Sequence, residues 1–159
     1  VKEILEHYQE WSTGKLEDRA VVVFDSMWHS TETMAVTITE AFAARGIPAV
    51  YYDLKVNHMS DIVVDILTSK YLAVGSPTIN NQMMPSVAGF LCYLKGLAPK
   101  DHKAFAFGSY GWGGTYMQDW EARVKDAGAT LVADGVLALG APDDEAVAKL
   151  AEAGKLLAE

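Results

Sequence analysis

From residue 20 onward the chain alternates between short apolar runs and longer amphipathic stretches. Apolar, β-type runs occupy 20–25, 47–52, 70–75, 103–108 and 130–138, and between them apolar residues recur at helical spacing. Val21-Val22-Val23-Phe24 and Tyr71-Leu72-Ala73-Val74 are apolar at every position, as strands covered on both faces must be. Strands alternating with helices predict a parallel sheet between two helical layers, in the doubly wound order 2-1-3-4-5. Such a sheet gathers the carboxyl ends of strands 1, 3 and 4 at one edge, where ligands bind.

The helix boundaries rest on punctuation as well as period. The first helix is expected to begin at Ser30 or Thr31, to carry Met34, Ile38, Ala41 and Phe42 on one side, and to stop at Gly46. Residues 57–67 show a weaker helical pattern. Another helix has Pro85 in its first turn, Val87, Phe90, Leu91 and Leu94 on its face, and Gly96 at its end. Thr115 and Gln118 stand at capping-box spacing ahead of Trp120 and Val124, with Gly128 as the stop. The last helix follows Pro142, with Asp143, Asp144 and Glu145 where a helix dipole favours negative charge. Before residue 20, Ile4, Leu5, Tyr8 and Trp11 recur at helical spacing, and a polar stretch from Ser12 to Arg19 contains Gly14. Residues 1–19 therefore read as a helix and linker, and 20–159 as the domain.

Composition narrows the function classes. A chain of 159 residues, 50 % of them apolar, is one domain with a substantial core. Its 13 basic and 21 acidic groups give a formal charge of −8, which argues against nucleic acid. No apolar run reaches the length of a membrane span. The lone Cys92 fits a reducing compartment, the cytoplasm, and is expected as a small buried hydrophobe on its helix. The chain begins with Val1, so a piece of a longer polypeptide or a processed form is expected.

Three loops carry the chemistry. The first, Ser26-Met27-Trp28-His29-Ser30-Thr31, follows strand 1 and feeds a helix N-terminus, whose free amides and dipole suit a phosphate. Ser26, Ser30 and Thr31 add hydroxyls and no Lys or Arg lies within it. The plainer reading is a capped helix start with Ser30 or Thr31 satisfying the amides, and His29 as an exposed residue. The second, Gly75-Ser76-Pro77-Thr78-Ile79-Asn80-Asn81, supplies donors and acceptors for a heterocycle edge, or simply turn formers. In the third, Gly108-Ser109-Tyr110-Gly111-Trp112-Gly113-Gly114, glycines are expected to allow close backbone approach and positive φ. Trp112 there offers a flat face to a ring, Tyr110 divides between ring contact and core, and Trp28 is either a second platform or a partner-facing residue.

Competing sites lack their residues. Neither GxGxxG nor GxxxxGK[ST] follows strand 1, and His7, His29, His58 and His102 form no metal-spaced cluster. A phospho-accepting receiver would want Asp where Gly75-Ser76-Pro77 stands, and a low-molecular-weight phosphatase would want a Cys in the first loop.

Read together, Phe24-Asp25-Ser26-Met27-Trp28-His29-Ser30-Thr31-Glu32-Thr33-Met34-Ala35, Val74-Gly75-Ser76-Pro77-Thr78-Ile79-Asn80-Asn81 and Phe107-Gly108-Ser109-Tyr110-Gly111-Trp112-Gly113-Gly114 resemble the flavodoxin-like domain of flavodiiron proteins. The resemblance runs from about residue 20 to the C-terminus. Trp28 and His29 stand where ordinary short-chain flavodoxins keep a T-x-T-G-x-T loop, which favours the flavodiiron branch. The resemblance implies a flavodoxin-like three-layer α/β sandwich with a five-stranded parallel sheet and FMN as cofactor. By position, Ser26, Met27, Ser30 and Thr31, with Trp28 and His29 beside them, would hold the phosphate. Pro77, Thr78, Ile79 and Asn80 would line one side of the ring, and Ser109, Tyr110, Gly111, Trp112, Gly113 and Gly114 the other. It further implies a rubredoxin-like electron donor, and as acceptor a metallo-β-lactamase-like di-iron domain of the partner subunit in a homodimer. That domain's ligand motif does not occur in this chain, so residues 1–19 resemble the tether to a missing upstream domain, and no residue here need act as acid, base or nucleophile. The alternatives are a stand-alone FMN-dependent NAD(P)H or quinone reductase and a binding module with an empty site.

Overall fold

The computed structural model describes residues 4–5, 14–113 and 116–157. Its strands are β1 (Glu17–Phe24), β2 (Ala49–Asp53), β3 (Ser69–Ile79), β4 (Gln82–Met83), β5 (Lys103–Tyr110), β6 (Thr130–Leu131) and β7 (Val136–Leu139). The helices are α1 (Ser30–Ala43), α2 (Met59–Thr68), α3 (Pro85–Leu97), α4 (Met117–Asp126) and α5 (Asp144–Leu157). The sheet runs β2-β1-β3-β5-β6, with β7 also parallel to β5 and β4 antiparallel to β3. With β6 and β7 sharing the fifth position, this is the doubly wound order expected from the pattern.

Alternation along the central strands builds the two faces. Val21, Val23, Leu72, Val74, Ala104 and Ala106 pack on one side against α2, α3 and α4 through Ile62, Ile66, Phe90, Leu94 and Trp120. Ala20, Val22, Phe24, Tyr71, Ala73, Phe105 and Phe107 pack on the other against α1 and α5 through Met34, Ile38, Phe42 and Leu150. Burying each such aliphatic or aromatic side chain contributes roughly 1.5–3 kcal/mol, so the central strands anchor whatever their ends present.

Several boundaries differ from those read along the chain, each for a local reason. β1 begins at Glu17, inside the stretch read as linker, because Glu17 pairs with Ser69 on β3. The fifth strand is broken: β6 pairs with Lys103 and Ala104, β7 with Phe107 to Tyr110. At the break Gly135 lies against α4, where a Cβ would stand 2.3 Å from Met117 Sδ, and its N–H donates to Glu121 Oε1 at 2.7 Å. Helix α3 passes through Gly96 and stops instead at Ala98, whose φ of 47° is left-handed just ahead of Pro99. Cys92 is exposed, not buried, because the inward stripe of α3 is Val87, Phe90, Leu91 and Leu94. Other punctuation matches its reading. Gly46 and Gly128 take φ of 74° and 97° after α1 and α4, and the Asp143 carboxylate accepts the Ala146 N–H at 2.8 Å as the cap of α5. The Thr115 capping box lies outside the described residues, as do Tyr8 and Trp11; Ile4 and Leu5 are helical and exposed.

At the edge opposite the three loops, the buried His102 ring places Nδ1 2.7 Å from the Ser69 carbonyl and ties the start of β5 to that of β3. Burial holds the His102 pKa below the ordinary histidine value, outweighing the carbonyl bond that raises it. The unfolded chain, with its histidine near ~6.5, therefore binds more protons than the folded one below that pH. Stability is thus fully present above about pH 6.5 and is lost progressively as the pH falls from there through the lower folded-state pKa. Urea midpoints at pH 7.5 and 5.5 are expected to drop on acidification, and to drop less in His102→Gln; an equal drop in both proteins excludes His102 as the cause.

Candidate functional site

The first loop is fixed before its helix starts. Asp25 N–H donates to the Gly75 carbonyl at 3.2 Å and Leu54 N–H to the Phe24 carbonyl at 2.9 Å, so both neighbouring strands hold it. Asp25 and Ser26 are buried, whereas Met27, Trp28 and His29 are exposed, Trp28 to 86 %. Neither Ser30 nor Thr31 caps α1, correcting that reading. The N-cap position is His29, at a left-handed φ of 66° with no side-chain cap, and its ring nitrogen Nδ1 lies 2.6 Å from Glu32 Oε2. The first recorded backbone bond of this turn runs from Thr33 N–H to the His29 carbonyl, so the amides ahead of it are the orphans of a helix start. Beside them the buried Ser26 Oγ has no hydrogen-bond partner among the described residues.

Thr31 does something else: fully buried, it places its hydroxyl 3.0 Å from Ser109 Oγ at the end of β5. Ser109 in turn accepts at its carbonyl from the Thr78 hydroxyl at 3.2 Å. One side-chain relay therefore links all three loops at the carboxyl edge. Asn81 closes the far end, since a Cβ on Gly113 would stand 2.8 Å from Asn81 Oδ1.

The second and third loops are more strand than expected. Gly75 to Ile79 belong to β3, and only Asn80 and Asn81 turn, both left-handed with φ of 49° and 58°, into β4. That is a two-residue hairpin, the turn-forming role that Asn can play without glycine. Ser76 stays buried, donating to the Pro77 carbonyl and accepting the Met84 N–H, both at 2.8 Å. Pro77 is buried, Thr78 and Ile79 are half-buried, and Asn80 is exposed. Gly108, Ser109 and Tyr110 end β5. None of Gly108, Gly111 and Gly113 has positive φ, so the expected left-handed loop does not form among them. Gly108 instead lets strands approach, because a Cβ there would lie 2.2 Å from the Ser76 carbonyl oxygen. Beyond it Tyr110 is half-buried, Gly111 is exposed and Trp112 projects with 99 % exposure; Gly114 lies outside the described residues.

The structure adds side chains that the motifs omitted. Lys55, in the turn after β2, donates to the Ser26 carbonyl and sits 3.6 Å from Asp25 Oδ1, while Ser86 at the start of α3 donates to Asp25 Oδ2. Behind the hairpin, Tyr116 and Trp120 stack at 5.8 Å, and among the described residues neither Tyr116 Oη nor Trp120 Nε1 has a hydrogen-bond partner. Burial pushes the Tyr116 phenol above its ordinary pKa. Their inclusion in the site was hidden because they pack beneath it.

An uncapped helix start at the switch point of a doubly wound sheet, with two exposed indoles on the neighbouring loops, is the arrangement of a mononucleotide-binding domain. The chain belongs to the flavodoxin family, whose pattern matches residues 22–154. It is 37 % identical over 156 residues to the nitric oxide reductase of Moorella thermoacetica, covering 98 % of this chain and 39 % of that protein. Among solved structures it is similar to the rubredoxin oxygen:oxidoreductase of Desulfovibrio gigas, with a TM-score of 0.92, 34 % identity, and 96 % of this chain against 38 % of that one. The flavodiiron protein of Giardia intestinalis gives a TM-score of 0.91 at 30 % identity, with the same coverage of 96 % and 38 %. The chain thus spans about two fifths of the length of these relatives. FMN is the cofactor of this domain. The residues present fit it: the orphan amides and the unpartnered Ser26 Oγ are donors awaiting an anion, and no carboxylate of the loop caps them.

Proposed function

We propose that this is the FMN electron-transfer domain of a flavodiiron oxygen or nitric oxide reductase of the cytoplasm, fed by a rubredoxin-like donor and serving a di-iron site on a separate domain of the partner subunit. The observation that carries the reading is the Thr31–Ser109–Thr78 relay, which draws the three strand ends together while Trp28 and Trp112 remain uncovered. Bound FMN supplies a centre that takes up electrons from the donor and releases them singly. Ser26 and Ser30 would hold its phosphate with their hydroxyls and Met27 and Thr31 with their backbone amides, the Thr31 hydroxyl being engaged with Ser109. Pro77, Thr78, Ile79 and Asn80 would line one side of the ring, and Ser109, Tyr110, Gly111, Trp112 and Gly113 the other. The relay keeps these two walls at a fixed separation, so the chain positions the ring without providing an acid, base or nucleophile. Trp28 and Trp112 leave an edge open to a docking partner.

The purified domain is expected to be yellow and to release FMN in acid. Under anaerobic conditions, reduced rubredoxin is expected to bleach the flavin within seconds, and NADH is not. Rapid direct bleaching by NADH makes the protein a nicotinamide-dependent reductase instead, and failure to take up FMN overturns the reading altogether.

A further inference from the structure

A buried carboxylate sits one residue before an anion-binding loop, which is an electrostatic problem the fold has to solve. Asp25 is 3 % exposed and directly precedes Ser26, whose unpartnered hydroxyl and following amides await the phosphate. Left alone, its charge would act on that phosphate through protein rather than water, where like charges repel more strongly.

Lys55 answers that charge. Its half-exposed ammonium lies 3.6 Å from Asp25 Oδ1, an ion pair that leaves this oxygen without a hydrogen bond among the described residues, and donates to the Ser26 carbonyl of the loop backbone. The turn presenting it is held on all sides. Lys55 N–H donates to Asp53 Oδ1 at 2.8 Å, and Val56 and Asn57 N–H reach the Asp53 carbonyl at 3.1 and 2.9 Å. Ser86 takes the other carboxylate oxygen, leaving Asp25 oriented from two elements.

We propose that Lys55 is a positioning residue for the cofactor: it neutralises the buried Asp25 and pins the Ser26 carbonyl, so that the first loop can accept a phosphate anion. This rests on FMN occupying the first loop. It assigns a specific task to the β2–α2 turn, and makes phosphate affinity depend on a residue outside the phosphate loop.

Riboflavin, which has the ring and no phosphate, separates charge compensation from general loop integrity. In fluorescence titrations Lys55→Met is expected to weaken FMN binding about tenfold, a modest effect for a unit charge left unpaired in a partly dehydrated site, with riboflavin binding unchanged within about twofold. Lys55→Arg, which keeps the charge, is expected to stay within about twofold of wild type for FMN. Asp25→Asn combined with Lys55→Met is expected to restore most of the lost FMN affinity, since the repulsion and its remedy are removed together. Equal weakening of both flavins, unchanged FMN binding in Lys55→Met, or no recovery in the double variant overturns the role of Lys55. A wild-type protein that does not prefer FMN to riboflavin fails at the earlier step, because it removes the phosphate from the first loop.

Discussion

Gly108→Ala is expected to lower the unfolding free energy by about 3 kcal/mol or more and to abolish tight flavin binding. The position has no spare room in any direction. A Cβ would stand 2.2 Å from the Ser76 carbonyl oxygen, 2.9 Å from the Trp120 ring and 3.1 Å from Tyr116 Oη. The first of these is backbone of β3, paired with Gly108 in register, and moving it means separating β3 from β5 where the relay from Thr78 to Ser109 crosses. Overpacking of this kind is not relieved by a rotamer change, because the obstacle is a main-chain atom fixed by neighbouring strand pairs. Gly111→Ala is the stability control: among the described residues nothing lies within 4 Å of its Cβ position and its φ is not positive, so its cost is expected below about 0.5 kcal/mol. Urea denaturation followed by far-UV circular dichroism, with FMN titration of each variant, checks both. A Gly108→Ala protein within about 0.5 kcal/mol of wild type would mean the two strands are not packed so closely.

The second large effect is in the ligand. Riboflavin is expected to bind at least about 100-fold more weakly than FMN, the equivalent of two charge-assisted hydrogen bonds. A helix start whose N-cap side chain bonds Glu32 rather than capping the helix amides, together with a buried hydroxyl that has no partner among the described residues, is a set of donors with unmet demand. FMN meets that demand with phosphate oxygens; riboflavin leaves the donors as they are and forfeits the gain. Ser26→Ala is expected to narrow the gap by about tenfold through weaker FMN binding, with riboflavin unaffected. Equal affinity for the two flavins in the wild-type protein would show that the phosphate lies elsewhere.

The sequence pattern disclosed the architecture more fully than the local conformations. Fully apolar runs such as Val21–Phe24 announce central strands because both faces are covered, and Pro85 at a first helical position and the acid Asp143 at a helix start announce helices through local chemistry. The site's residue types were legible for the same reason, since they cluster after strands that the topology brings together. What could not be read were features depending on a neighbour far along the chain. Thr31 has the composition of a cap and the position of a cross-strand tie, and only the proximity of Ser109 decides between them. Gly108 looks like loop flexibility until the Ser76 carbonyl appears beside it. Lys55 carries no motif, yet the order 2-1-3 makes the turn after β2 adjacent to the first loop, so the topology itself contained that signal. Cys92 misled because one apolar residue beside an inward stripe adds nothing to distinguish its face.

The interrupted outer margin of the sheet bears on how copies of this domain can meet. Thr130–Leu131 and Val136–Leu139 are too short, and too offset by the intervening bend, to present an unbroken row of main-chain donors and acceptors to another molecule. Ribbon-to-ribbon propagation on that flank is thereby discouraged, which leaves β2 as the longer edge strand among the described residues.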